Sequence, residues 1–593
     1  MKRFFPLTCL FLIPLVLACS ESSQIVAPAP MMPDGFDRAD VTPNPNRPDN
    51  VDLTVPGSFK HGTCEPTIID TRRFAKQIAD REPFRGEILS SSLGRPAKLD
   101  KPIVPLGPAN GLVAGGMRDR QVLAHGMNFP GIAQTQWNPP DPALAVGPNH
   151  IVQTVNQSIA FFTKDGTMQF QQRLNDTEQP SFFDEVGVGT FAFDPKCFYD
   201  HYANRFFVLA LEVYNDINEA YITLAVSDDD DPNGVWFKYR TFSVVDIDDA
   251  SYWVDYPGLG YDANGFYVTG NLFLLDGSGS GFGNVLFRSY DKTPLLNGQT
   301  ATFTDIRDPS AASVQVAQHF GGDNVAPYFV SRQNTSELRI TAINDALTNP
   351  SFSTTSVSVP SSFPPPQAPN GGGGSELNTL DGRLMNVHWR DGSLWTCHCV
   401  ASDNGNRAVS RWYEIATGDW PNSGSPSLVQ SGNVTGPQGV HTFFPAIYTD
   451  QFNNAAMVVG YSSNSEFASV QATGRMDSDP LDTMGALELL QPGEAAANGR
   501  WGDYFDIALD PDGLTFWMVG EFQASSGGWR TSLNSFTLFL LGDINQDGVV
   551  NLLDVDPFID LVGASEFDPA ADTNGDGNVN LLDVQGFIDL LNG

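Results

Sequence analysis

Two stretches near the C-terminal end repeat one pattern of oxygen-bearing residues at an offset of 29 positions. The first places Asp543, Asn545, Asp547, Val549, Asn551 and Asp554 at positions 1, 3, 5, 7, 9 and 12, and the second places Asp572, Asn574, Asp576, Asn578, Asn580 and Asp583 in the same way. A calcium ion takes about six to eight oxygens, and a twelve-residue loop supplies them from those positions, position 7 through its backbone carbonyl and position 6 a glycine for the turn. Gly548 and Gly577 stand at position 6. The pattern predicts Ca2+ as the cofactor, two ions in all. Position 12 is Asp in both copies, a shorter arm than the usual Glu. From Asp543 onward there are ten Asp and one Glu and no Lys or Arg. That charge density opposes a compact state until cations neutralise it, so calcium is expected to be needed for folding here.

Each loop runs into an apolar stretch, 552–561 and 581–590. The last 52 residues thus read as loop-helix, linker, loop-helix, and on these motifs the segment resembles the dockerin type I domain. The resemblance implies a small all-α domain with paired EF-hand-like calcium loops, and a cohesin-like or other surface protein as partner. Cellulosomal dockerins dock beside the last calcium ligand, commonly through small hydroxyl pairs. This chain has Leu552-Leu553 and Leu581-Leu582 there, which points to a more apolar partner surface.

At the other end, Met1-Lys2-Arg3 precedes an apolar run too short to remain as a membrane span. This reads as a signal peptide over residues 1–18. Val16-Leu17-Ala18-Cys19 resembles a bacterial lipobox, which implies lipidation of Cys19 and an extracytoplasmic protein whose contact with the membrane is that anchor. Ordinary cleavage and secretion is the alternative.

Formal net charge is −36 at pH 7, and phosphate backbones would be repelled by it, which argues against nucleic acid as a partner. Cys64, Cys197, Cys397 and Cys399 are too scattered for a disulfide framework. Cys397-His398-Cys399 offers soft ligands, but strand alternation turns His398 away from both thiols, so buried strand residues are expected.

Residues 19–115 are rich in Pro, Asn, Asp and Ser and read as a low-complexity spacer, with a short helix around residues 71–81. Residues 116–540 carry short β-type runs punctuated by Gly, Asn and Asp. An apolar run, a polar turn and an aromatic-rich run recur at 144–153, 193–208, 259–268, 385–395, 447–459 and 507–519, with a further unit between 314 and 359. Such spacing suits blades of four antiparallel strands, each needing neighbours on both faces. The fold expected is mainly β, a β-propeller of about seven four-stranded blades over 116–540, followed by the all-α dockerin-like domain over 541–593. A series of β-sandwiches is the alternative.

Short stretches at 141–150, 225–236, 253–258, 380–385 and 500–504 resemble secreted bacterial sialidase-like propellers. Residues 227–236 look like a stretched Asp-box hairpin, whose implied role is to stabilise a blade. The tandem regular Asp boxes of sialidases are absent. Asp255 and Asp503 each precede a Tyr, at strand starts that could share one end of the propeller with Arg383, Arg500 and His441. Both carboxylates are expected to cap turns or bond backbone amides, and no residue is assigned a catalytic role. The function favoured is a calcium-binding surface or secreted protein with a non-catalytic propeller that holds a glycan or protein. The alternative is a polysaccharide-degrading enzyme, a glycoside hydrolase or lyase, carrying a dockerin.

Overall fold

The computed structural model describes residues 47–73, 89–90 and 121–591, apart from 136, 176–180, 190–191, 276–280, 322–325, 374, 498–499, 546–548, 565, 569 and 575–577. The leader, Cys19 and the helix expected beyond Arg73 lie outside the described residues.

Strands with apolar residues at successive positions must be covered on both faces. Arg205–Tyr214 is buried from Phe206 to its end, and Ala455–Ser462 is buried throughout. Antiparallel units supply that cover. Each starts with a strand labelled here β1 (Ala143–Val146), β2 (Phe193–Asp200), β3 (Ala250–Tyr261), β4 (Gln315–Phe320), β5 (Leu384–Arg390), β6 (His441–Thr449) or β7 (Asp506–Leu509), and continues into the strands that follow it in sequence. The unit begun by β7 is completed from the N-terminal side, because Gln121–Ala133 lies antiparallel to Trp529–Leu540. First strands touch in succession, β1 on β2 through to β6 on β7, and β7 lies against β1. Between β3, β4 and β5 the contact becomes parallel pairing, with Tyr261 opposite Gln318 and Ala317 opposite Val387. Aromatic faces fill the space between units: Phe198 stacks on Phe207 at 5.0 Å, and Phe207 on Phe266 of the next unit at 5.2 Å.

Several first strands open the same way. Asp141, Asp194, Tyr256 and Phe444 each have positive φ (49°, 44°, 55° and 48°) and each precedes a proline. Proline withholds an N–H from the ladder, and the pairing register slips at Phe193/Lys196, Asp255/Gly258 and Phe443/Ala446. A bulge of this kind re-aims side chains at a strand end, and non-glycine residues at positive φ cost free energy that the surrounding structure must offset.

Part of the stretch read as a spacer is built into the body. Phe59–Cys64 adds an antiparallel edge to the unit of β3, pairing with Ala301–Asp308, and Thr67–Asp70 does the same for the unit of β2, pairing with Val235–Phe242. Val51–Asp52 runs parallel to Val245–Ile247. These strands escape the hydrophobic pattern because an outer edge needs only one side of each strand paired and few buried side chains. Of the helix expected around 71–81, Thr71–Arg73 forms a 3-10 turn.

The 227–236 hairpin is held from within: Asp228 Oδ1 accepts from Val235 N at 3.0 Å, and Trp236 Nε1 donates to Pro232 O at 2.8 Å. Cys397 and Cys399 are buried free thiols, and His398 bonds instead to Gly382 O and Tyr413 Oη at 2.8 and 3.0 Å. In the tail, helices Val555–Ala564 and Val584–Leu591 share a small core in which Phe558 and Phe587 stack at 4.2 Å. Among the described residues, no helix is long and apolar enough to cross a membrane.

Candidate functional site

The heads of the first strands bring carboxylates together. Asp141 stands two residues before β1, Asp194 lies in β2, Asp255 lies at the bulge of β3, and Asp503 leads into β7. Asn156 ties the first two: its Nδ2 donates to Asp141 Oδ2 at 2.6 Å, and its Oδ1 accepts from Asp194 N at 2.9 Å. Asp503 N donates to Asp141 Oδ1 at 2.9 Å. Where turn capping was expected, the Asp503 carboxylate is held from both sides by the Arg500 guanidinium. Beneath this loop Glu521 Oε2 accepts from Gly502 N at 2.9 Å, and a Cβ on Gly502 would lie 2.6 Å from that oxygen. Only glycine lets the backbone rest on the carboxylate there.

Cations and aromatic rings close the other sides. Arg383 forms a forked pair with Asp381 at 2.9 and 2.8 Å and lies 4.2 Å above the Tyr256 ring. Tyr256 stacks on Tyr504 at 5.5 Å, and Lys196 Nζ lies 3.2 Å over Tyr504. Asp506 Oδ2 accepts from Leu144 N at 3.0 Å. The side chains of Asp503 and Arg500 remain 15% and 13% exposed.

Burial, with mutual repulsion, raises several of these carboxyls above the usual carboxylate range. Asp141 is pushed well above the usual carboxylate range, first by burial and then by the charges of Asp503 and Asp194. Asp194 is raised by burial, then by Asp255 and Asp503. Burial lifts Asp255 to about 7, against a bond from the Tyr256 backbone and the Arg383 charge. Asp506 rises to about 6 through burial, moderated by Lys196. Glu521 is raised well above its ordinary value by burial. Burial would also lift Asp381, but Arg383 outweighs it and holds that carboxyl low. Lys196 is lowered by burial. Among the described residues, Asp255 Oδ1, Glu521 Oε1 and Tyr504 Oη are buried without a hydrogen-bond partner. Carboxyls that keep a proton near neutrality beside ones that are ion-paired are the raw material of general acid-base chemistry.

Of the residues expected at one end, Asp255, Asp503, Arg383 and Arg500 therefore meet. His441 is placed elsewhere: its Nδ1 accepts from Ala408 N at 3.1 Å, and burial lowers its pKa to about 4. Asp141 and Asp503 fall within stretches singled out in the sequence, Asp194 and Lys196 fall within the strand unit 193–208 without being singled out as site residues, and Asn156 and Glu521 fall outside every such stretch. The signal that reaches Asp194 is the recurrent proline one or two places after the acid, as in Asp141-Pro142, Asp194-Pro195 and Asp255-Tyr256-Pro257.

The tail has its own site. Asp554 Oδ1 accepts from Ile544 N and Asn545 N at 2.8 and 3.0 Å, while its Oδ2 accepts from Asn551 N at 2.8 Å. Asp583 repeats the arrangement, with Oδ1 accepting from Asn574 N at 3.2 Å and Oδ2 from Asn580 N at 2.9 Å. The acid at position 12 thus pins the start of each loop to its end. Asp543, Asp554 and Asp583 are buried, in a segment without a single Lys or Arg. Such a donor set fits a hard cation. Asp547 and Asp576 lie outside the described residues.

The family model of the Dockerin type I domain matches residues 541–592. The tail is a dockerin type I domain. Dockerin domains bind calcium, and they bind cohesins. No curated protein matches the sequence. Among solved structures, the chain is similar to a thermostable family-43 glycoside hydrolase (11% identity, 70% of this chain, 94% of that chain, TM-score 0.27). It is also similar to an ulvan lyase from a new family of polysaccharide lyases (10% identity, 68% of this chain, 80% of that chain, TM-score 0.31). TM-scores this low leave the reading of function to the chain's own residues.

Proposed function

We propose that this is an extracytoplasmic polysaccharide-degrading protein, a glycoside hydrolase or lyase, whose catalytic body is a closed seven-bladed β-propeller and whose dockerin docks it onto a cohesin-like surface protein. The carboxylate cluster carries the reading. A protein that merely holds a ligand gains nothing from packing Asp141, Asp194 and Asp255 so closely that burial and like charge keep protons on them. The ring of contacts from β1 through β7 and back to β1 supports the closed propeller, and the shared sheet of Gln121–Ala133 and Trp529–Leu540 supports its closure by both ends of the body. Asp255 is the acid, with a proton to give and an oxygen unspent. Asp503, held by the Arg500 guanidinium, is its partner carboxyl.

In the dockerin, Asp543, Asn545, Asp547, Val549, Asn551 and Asp554 hold one Ca2+, and Asp572, Asn574, Asp576, Asn578, Asn580 and Asp583 hold the second. Leu552, Leu553, Leu581 and Leu582, 67–80% exposed, form the apolar contact with the partner. Cys19 carries the lipid, and the residues between it and the strands that begin at Val51 space the body from the membrane. The test is incubation of the full chain with a panel of polysaccharides, measuring reducing and unsaturated ends. Turnover that Asp255→Asn removes is the result expected. Retention of a polymer without turnover would restore the non-catalytic binding protein.

A further inference from the structure

The first strands carry a second set of side chains to the end opposite the carboxylate cluster. Asp200, Tyr261, Phe320 and Arg390 are the last residues of β2, β3, β4 and β5, and Tyr448 is the last but one of β6. Parallel pairing sets Phe320 opposite Arg390, and the guanidinium lies 5.0 Å from the centre of the Phe320 ring. His201 stacks on that ring at 4.2 Å, and Tyr202 lies against His201 at 4.0 Å. His201, Tyr202 and Phe320 are half-buried, so these rings also face solvent.

Arg390 itself is only 7% exposed. Its Nε is buried without a hydrogen-bond partner, and among the described residues no carboxylate lies within ion-pair distance of the guanidinium. Arg288 and Arg383 differ, each gripping one carboxylate with two nitrogens at 2.7–2.9 Å. Burial lowers the Arg390 pKa, and Tyr448, Asp391, Asp450 and Tyr261 are the groups whose charges oppose that. The acids around it are occupied elsewhere. Asp450 accepts from Phe452 N, Asn454 N and Asn454 Nδ2 at 2.8, 2.9 and 2.8 Å. Asp391 is exposed and faces Gly321, and Asp200 pairs with Lys292 at 2.7 Å. His201 is neutral, its pKa lowered to about 3 by burial and then by the charges of Arg390 and Lys292. A nearly buried cation that the protein leaves unpaired costs free energy unless a ligand supplies the anion.

We propose that this end of the body is a second binding site, which takes an acidic sugar with its carboxylate on Arg390 and its ring against Phe320, His201 and Tyr202. A planar guanidinium matches a carboxylate with two parallel bonds. The adjoining aromatic faces suit the apolar face of a sugar ring, which a bare anion would leave uncovered. Gln318 adds a donor for a hydroxyl, because its Oε1 accepts from Tyr448 Oη at 2.9 Å and its amide nitrogen is left over. The site works whether or not the carboxylate cluster turns a polymer over, since the two sets lie at opposite ends of the same strands.

The experiment is calorimetric titration of the full chain with trigalacturonate, galactotriose and acetate, for the parent, Arg390→Met and Asp255→Asn. Methionine keeps the packing over Phe320 and removes the charge. Trigalacturonate should bind the parent and Asp255→Asn alike and lose about tenfold or more in affinity for Arg390→Met, while any binding of galactotriose is the same in parent and Arg390→Met. Without ligand, Arg390→Met should melt no lower than the parent, because an unpaired buried cation has been removed. A measurement that needs no variant is the melt of the parent, whose midpoint trigalacturonate should raise. No binding of trigalacturonate, or binding that survives in Arg390→Met, would overturn the proposal. So would loss of binding in Asp255→Asn, which would place the sugar at the cluster, and so would acetate competing as well as trigalacturonate, which would leave a site for a bare anion.

Discussion

Asp255 shows how a residue with an ordinary sequence setting acquires chemistry. In the sequence it is an acid before Tyr256 and two places before Pro257, a setting that by itself suggests a cap on a turn. What separates it is burial at a bulge beside Asp503 and Asp141, where its proton is retained to about pH 7. The same retention has a consequence for stability. Asp141, Asp194, Asp255 and Glu521 are all raised in the folded protein, so the native state binds protons that an unfolded chain would release above pH ~4. Their contribution is complete below that pH and is lost as pH rises through the folded values, to about 7 for Asp255. Thermal melts should therefore show a higher midpoint at pH 5 than at pH 8. Asp255→Asn should flatten this difference, and an unaltered difference in that variant would remove Asp255 from the explanation.

The repeating elements were legible because their signals are periodic. Runs such as Phe206-Phe207-Val208-Leu209 and the polar turns between them mark strands covered on both faces. The dockerin was legible because its loop pattern fixes residue types at fixed positions, twice at one offset. The strands within 47–73 were not, since Phe59–Cys64 contributes one fully buried residue, Cys64, and takes its place through backbone pairing that leaves no side-chain pattern. The gathering of Asp141, Asp194, Asp255 and Asp503 was only half legible. Their separation in sequence hides a proximity that the succession of first strands creates, although the proline after each bulge marks where strand heads lie. Because the 47–73 strands sit at outer edges, deleting residues 1–73 should leave turnover intact. It should lower the melting midpoint by a few degrees, since each kcal/mol moves the midpoint of a body this large by less than the ~2–4 °C typical of 150–250 residues. Loss of turnover with the fold preserved would show that this segment reaches the site.

At the scale of the molecule, a β body with a carboxylate-rich end is joined to a dockerin whose acids have no basic residues to balance them. The two parts should therefore respond to different agents. Chelation, or the double variant Asp543→Ala/Asp572→Ala, should make the tail sensitive to protease and abolish docking, while the melt of the β body stays within about 1 °C of the parent, since the parts have separate cores. A tail that resists protease without calcium would contradict the assignment of the loops. Under the proposed function, docking places an enzyme among partners on a surface and the cluster does the chemistry there. The most direct test of that claim is the pH dependence of kcat/KM, on a polysaccharide that the full chain turns over, for the parent and for Asp255→Asn. The account predicts activity in the parent that falls as pH rises past about 7, where Asp255 loses its proton. It predicts a loss of about 10²–10⁴-fold in the variant, the usual worth of a general acid. Turnover in the variant equal to that of the parent, with the same basic limb, would contradict it.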